Sequence, residues 1–174
     1  MKRKIELWDQ AGYILDQVGK GVLMTTAADG KVNTMTIGWG TLGIQWRKPI
    51  FIAFVRESRY TKELLDKNPE FTINIPYGEY EKSILSICGT RSGRDMDKIK
   101  ELSLELEESE TVSVPGIRQL PLTLECKVIY RQDQDPAAIN EENTARYYPL
   151  EGPEQKGDYH TAYYGQVTAA YIIE

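Results

Sequence analysis

The chain has 174 residues, enough for one domain with a buried core, and its hydrophobic and charged fractions of 41% and 27% are ordinary for a globular protein. A net charge of −5 argues against a nucleic-acid binder, which needs a broad basic face, but it allows a small local basic pocket. No run is apolar enough to span a membrane, no signal-peptide core follows the basic start Met1-Lys2-Arg3-Lys4, and a single histidine cannot complete a usual zinc set with Cys88 and Cys126. The expectation is a cytoplasmic protein, a single domain over residues 1–174, with two free thiols and no metal.

Leu7, Ala11, Ile14, Leu15 and Val18 recur at helical spacing and predict a first helix, stopped by Gly19 and Gly21. Val22 to Thr26 and Val32 to Gly40 read as two strands of a hairpin around Ala28-Asp29-Gly30. Pro49 precedes a third strand, Ile50 to Val55. A helix after Thr61 must end near Asn68, because Pro69 disfavours helix in the residue before it. Phe71 to Ile75 is a fourth strand. Tyr80 to Ile87 and Met96 to Leu102 read as short helices around a polar loop, Arg91 to Asp95. Leu104 to Pro115 is acidic, with strand-like alternation returning at Val112 and Val114. Leu122 to Arg131 alternates as a long strand, and Tyr163 to Ile173 is the last. Between them, Asp133 to Asp158 is rich in Asn, Pro, Gly and Glu and has no clear period. It reads as an excursion, a partner-contact arm or a lid. Six or seven strands with few helices predict a mainly β fold, a small barrel or sandwich with helical insertions.

The richest stretch for chemistry is the hand-over from strand to helix at Arg56-Glu57-Ser58-Arg59-Tyr60-Thr61. A helix N-terminus offers unpaired N–H groups and a positive dipole, and arginine forks match phosphate oxygens. The same residues also suit a solvated surface with capping hydroxyls. Met35, Ile37 and Trp39 would share one strand face and Thr34, Thr36 and Gly38 the other. Glycines there let a flat ligand approach, or simply mark a bulge in a core strand. Ser92, Gly93, Arg94, Asp95, Asp97 and Lys98 form a second polar group that equally suits a plain helix start. His160 has no serine or cysteine beside it to suggest a triad, and lone histidines are more often structural. There is no Walker A pattern and no GxGxxG.

Taken in order, Asn33-Thr34-Met35-Thr36 with Trp39, Arg56-x-Ser58-Arg59-Tyr60-Thr61, Ser92-Gly93-Arg94-Asp95 with Asp97-Lys98, and Gly157-Asp158-Tyr159-His160 with Gly165 resemble the flavin reductase-like FMN-binding split-barrel family, its flavoredoxin-type branch most of all. The resemblance runs from about Gly21 to Ile173. It implies a split antiparallel β-barrel that forms a homodimer and holds FMN near the subunit interface. Met35, Thr36, Ile37 and Trp39 would lie beside the isoalloxazine ring. Arg56, Ser58, Arg59 and Thr61 would hold the ribityl phosphate, and Ser92, Gly93 and Lys98 would reach the flavin from the middle loop. His160 would lie near the ring or the substrate side. The implied activity is an NAD(P)H-dependent flavin reductase, in which NADH or NADPH reduces FMN. The alternatives are an electron carrier that takes electrons from a redox partner protein, and a non-enzymatic FMN-binding or interaction module.

Overall fold

Alternating apolar side chains build this chain into one antiparallel sheet that curls around a core, and that curl creates the site. The computed structural model describes residues 1–153 and 156–174. Among the described residues the strands are β1 (Lys2–Lys4), β2 (Val22–Ala28), β3 (Lys31–Ile37), β4 (Gly40–Gln45), β5 (Lys48–Arg56), β6 (Glu70–Ile75), β7 (Leu106–Glu107), β8 (Gly116–Ile117), β9 (Leu122–Asp133) and β10 (His160–Ile173). The main sheet runs β3-β2-β6-β9-β10-β5-β4, with β1 also paired to β10. No pairing joins β3 to β4, so the barrel is split there. The small strands β7 and β8 pair only with each other.

Period-two alternation sends β2 to both sides of the sheet. Val22 and Met24 join the barrel core with Phe51, Phe71, Ile73, Leu124 and Tyr163. Leu23 points the other way, into a second cluster with Ile84, Cys88, Leu104, Ile117 and Leu120. That second cluster seats α3 (Ser83–Thr90) against the barrel wall, and it keeps Val22 to Thr26 buried on both faces. The remaining helices are α1 (Ala11–Lys20), α2 (Tyr60–Lys67), α4 (Lys98–Glu101) and α5 (Glu141–Tyr147). A 3₁₀ turn at Leu7–Gln10 precedes α1. Gly21 closes α1 at φ 114°, and its N–H bonds back to Gln17 and Val18.

Several sequence expectations need correction. The strand expected over Val32 to Gly40 ends at Ile37, and Gly40 opens a separate strand, β4, that periodicity did not show. β4 is an edge strand without a consistent apolar face, and its partner β5 supplies the ordering. The β4–β5 turn is Trp46-Arg47, at φ 51° and 59°. These bulky residues take a conformation that usually betrays itself by Asn or Gly. The β2–β3 turn, Asp29-Gly30 at φ 53° and 73°, carries that usual signal. Val112 and Val114 lie in bends, not in a strand. The Asp133 to Asp158 segment, of which residues 154 and 155 lie outside the described residues, contains α5, started by Asn140, whose side chain accepts from the Asn143 N–H. β10 begins at His160, three residues before the expected strand start.

Candidate functional site

Two adjoining clefts, about 150 and 160 Å³, run along β3 and share Met35, Thr36 and Arg59. One end of the groove is polar. There the β5–α2 junction (Ser58 to Thr61) meets Asn33 and the loop carrying Ser92, Gly93 and Arg94. The other end is lined by Ile37, Gly38, Trp39, Phe54, Arg56 and His160. The fold therefore brings together the residues that the resemblance assigned to the flavin and its surroundings, while Asp95 and Asp97 lie outside these clefts. β3 supplies Met35, Thr36 and Ile37, the β5 exit supplies Arg56 to Arg59, and β10 supplies His160.

Lys98 stands out energetically. It is 3% exposed, and its ammonium donates to the carbonyls of Thr34 at 2.9 Å and Cys88 at 3.1 Å. The Cys88 carbonyl lies in the last turn of α3, where carbonyls lack helical partners and a cation is favoured. Among the described residues no carboxylate pairs with Lys98, and burial lowers its pKa from the ordinary lysine value. The nearby Arg59 lowers it further, and its own guanidinium has no ion pair among the described residues. Two cations without a carboxylate at one end of a groove make a seat for an anion. Burial pushes the Cys88 thiol up to about 11, so it sits there as a neutral neighbour.

Arg56 and Ser58, expected to grip phosphate with Arg59, are engaged by the excursion instead. Arg56 donates from Nη1 to the Asp158 carbonyl at 2.7 Å and from Nη2 to the Tyr147 carbonyl at 3.1 Å. Ser58 donates through its hydroxyl and its backbone N–H to the Asp158 carboxylate, at 2.6 and 3.0 Å. Arg56 thus lines the apolar end, and the Asp158 carboxylate occupies the Ser58 side of the helix start. Thr61 is buried, and its hydroxyl accepts from Asn33 Nδ2 at 3.1 Å. The Ser92 hydroxyl accepts from the Arg94 N–H at 3.1 Å. At the polar end Arg59, Arg91 and Lys98 line the groove without a carboxylate partner among the described residues, and at the other end Arg56, also without one, gives its N–H groups to two carbonyls.

At the apolar end, His160 is buried beside Trp39, ring centres 5.0 Å apart. Its Nδ1 lies 2.9 Å from the Tyr148 hydroxyl. Burial, reinforced by Arg56 and Arg59 and only partly offset by Asp158, depresses its pKa to about 4. The imidazole is therefore neutral at pH 7. Asn33 and Tyr60 stood in the sequence motifs without a role of their own, and sequence reasoning did not select Phe54, Tyr147 or Tyr148. The two tyrosines sit in and just after α5, where no pattern marked them. Tyr147 packs edge-on against Trp39 at 5.1 Å, so the excursion touches one wall residue of the groove.

Gly93 is a steric keystone of the polar end. A Cβ there would lie 2.1 Å from Asn33 Oδ1 and 2.8 Å from Tyr60 Cδ1. Gly93→Ala is expected to push Asn33 off the Thr61 hydroxyl and to cost about 1–3 kcal/mol in urea unfolding. A variant as stable as wild type would show that Asn33 and Tyr60 move aside freely.

Comparison with known proteins places this geometry. A family model described as the flavin reductase like domain matches residues 15–174, and the chain belongs to that family. An uncharacterized protein of Archaeoglobus fulgidus is 34% identical over 99 residues, 57% of this chain and 55% of that protein, so the match spans about half the length of that relative. Among solved structures, flavoredoxin from Methanosarcina acetivorans is 27% identical, with a TM-score of 0.64 over 88% of this chain and 68% of that one. An FMN-binding domain of a flavin reductases-like enzyme from Shewanella baltica shares the fold, with a TM-score of 0.67 and 19% identity over 99% of this chain and 77% of that one. The mainly β split-barrel architecture is the fold of these neighbours.

Proposed function

We propose that this protein binds FMN in the β3 groove and works as an NAD(P)H-dependent flavin oxidoreductase. The observation that carries the reading is the pair of uncompensated cations, Lys98 and Arg59, at one end of a groove whose other end is apolar and aromatic. A flat ring with an anionic tail matches that polarity along its length. Arg59, the first N–H groups of α2 and Ser92 would hold the phosphate, with Thr61 ordering Asn33 beside them. Lys98, between Thr34 and Cys88, would compensate negative charge on the ligand from the floor of the groove. Met35, Thr36 and Ile37 would flank the ring, and Trp39, Phe54 and His160 would shield its far end from water.

When bound, FMN supplies the redox chemistry, accepting a hydride from a reduced nicotinamide and passing electrons onward. The chain's part is to bind, orient and exclude. It needs no nucleophile, which fits a groove whose thiol, Cys88, is held protonated. Membership of a homodimer belongs to the same proposal. Ile44 and Trp46, 72% and 59% exposed at the β4–β5 hairpin, with Tyr130 6.2 Å from Trp46, form an apolar patch suited to a second copy. The likeness to a flavoredoxin favours one second reading, a carrier that takes electrons from a protein donor.

Titrating ligand-free protein with FMN should give saturable quenching of flavin fluorescence, and sedimentation should read two chains. Rapid anaerobic bleaching by NADH or NADPH is expected of the reductase. Bleaching only with a reduced protein donor would select the carrier, and absence of saturable FMN binding would refute both.

A further inference from the structure

Tyr148 follows α5 in a segment that the flavin reading leaves without a role, yet among the described residues it makes the one hydrogen bond to the His160 ring. It is 4% exposed, stacks on Tyr159 at 4.9 Å, and lies with its ring 5.3 Å from the Arg56 guanidinium. Its hydroxyl carries one proton, and the acceptor available to that proton among the described residues is His160 Nδ1, 2.9 Å away. If Nδ1 carried the imidazole proton, the phenol proton would be a buried donor without a protein acceptor. That arrangement is costly and rare. With the phenol donating to Nδ1, the imidazole proton sits on Nε2. Nε2 has no hydrogen-bond partner among the described residues, and it is not among the sealed, unsatisfied atoms, so it reaches the groove.

We propose that Tyr148 is a positioning residue that fixes His160 as the neutral imidazole protonated on Nε2, so that this N–H is a hydrogen-bond donor reserved for an acceptor atom of the ligand at the apolar end of the groove. The charged groups around the ring keep it neutral. Arg56 opposes a second proton more than Asp158, whose carboxylate is held by Ser58, favours one, and Arg59 opposes it further. A neutral N–H donor suits a carbonyl or ring nitrogen, and it will not surrender its proton as an imidazolium would. The ligand's identity as a flavin or its electron donor rests on the function proposed above; the tautomer does not.

His160 is the only histidine, so ¹⁵N-edited NMR of the ligand-free protein reads a single imidazole. At pH 7 the wild type should show Nε2 protonated and Nδ1 as an acceptor, and the ring should stay neutral well below the usual histidine midpoint. Tyr148→Phe keeps the stacked ring and removes the proton. It should lower the tautomer ratio about fivefold to tenfold, the equivalent of one neutral hydrogen bond. A wild-type ring protonated on Nδ1, or a ratio unchanged in Tyr148→Phe, overturns the positioning role. Adding FMN to the wild type should move the Nε2 proton resonance. Bound FMN with that resonance unmoved overturns the reserved donor, whereas failure of FMN to bind at all refutes the flavin reading and leaves the tautomer to the ligand-free spectra.

Discussion

Lys98→Met is expected to weaken FMN binding roughly 10- to 100-fold while costing the ligand-free protein no more than about 1 kcal/mol. The two effects separate because the ammonium is buried without a carboxylate. Its two carbonyl bonds, to Thr34 and Cys88, stabilise the ligand-free fold. Desolvation of the charge opposes that gain, as the depressed pKa shows. Methionine fills a similar volume and removes the desolvated charge, a gain that offsets most of the cost of leaving the two carbonyls without this donor. The ligand loses its charge-assisted partner outright, and nothing compensates. Fluorescence titration reads the first effect and urea unfolding the second. Unchanged FMN affinity with a large loss of stability would make Lys98 a pin between β3 and α3, and would move the anion seat elsewhere.

Gly165→Val should destabilise the protein by about 3 kcal/mol, the upper end of what overpacking usually costs. Gly165 sits in the middle of β10, where pairing with β9 shifts register at Tyr164/Gly165. A Cβ there would lie 2.5 Å from Phe71 Cζ and 2.8 Å from Cys126 Cβ. Neither neighbour can yield, since both are fully buried in the barrel core and Cys126 Cβ is tied to the β9 backbone. Urea denaturation with an unchanged m-value would read the loss as stability alone. Gly12→Ala is the control. Nothing lies within 4 Å of a Cβ at that position in α1, so relief of glycine's entropy cost should stabilise by about 0.5–1 kcal/mol. Equal behaviour of the two variants would mean that the core of β10 is loosely packed.

The elements legible in advance were those whose signals are local. Alternation marked β9, Pro69 marked the end of α2, and Asp29-Gly30 marked the first hairpin. β4 was not legible, because its order comes from pairing with β5 and its turn uses Trp46-Arg47 in place of glycine or asparagine. α5 was hidden for a similar reason. It is short, none of its residues is buried, and it is held by contacts at its end, Tyr147 on Trp39 and the Tyr147 carbonyl on Arg56.

The site divides along the same line. The residue types for an anion seat, two arginines and hydroxyls at a strand-to-helix turn, stood together in the chain at Arg56 to Thr61. Their order with Asn33-Thr34, Ser92-Gly93 and Gly157 to His160 pointed to the family that the match over residues 15–174 bears out. Sequence thus determined the fold class and the family, because strand periodicity and motif order are properties of the chain as a string. Tertiary structure alone decided which cation faces the groove. It turned Arg56 and Ser58 toward Asp158, left Arg59 without a carboxylate, buried Lys98 between two carbonyls, and set Tyr148 on His160. Those outcomes depend on desolvation and on partners far apart in the chain, and no local pattern carries them.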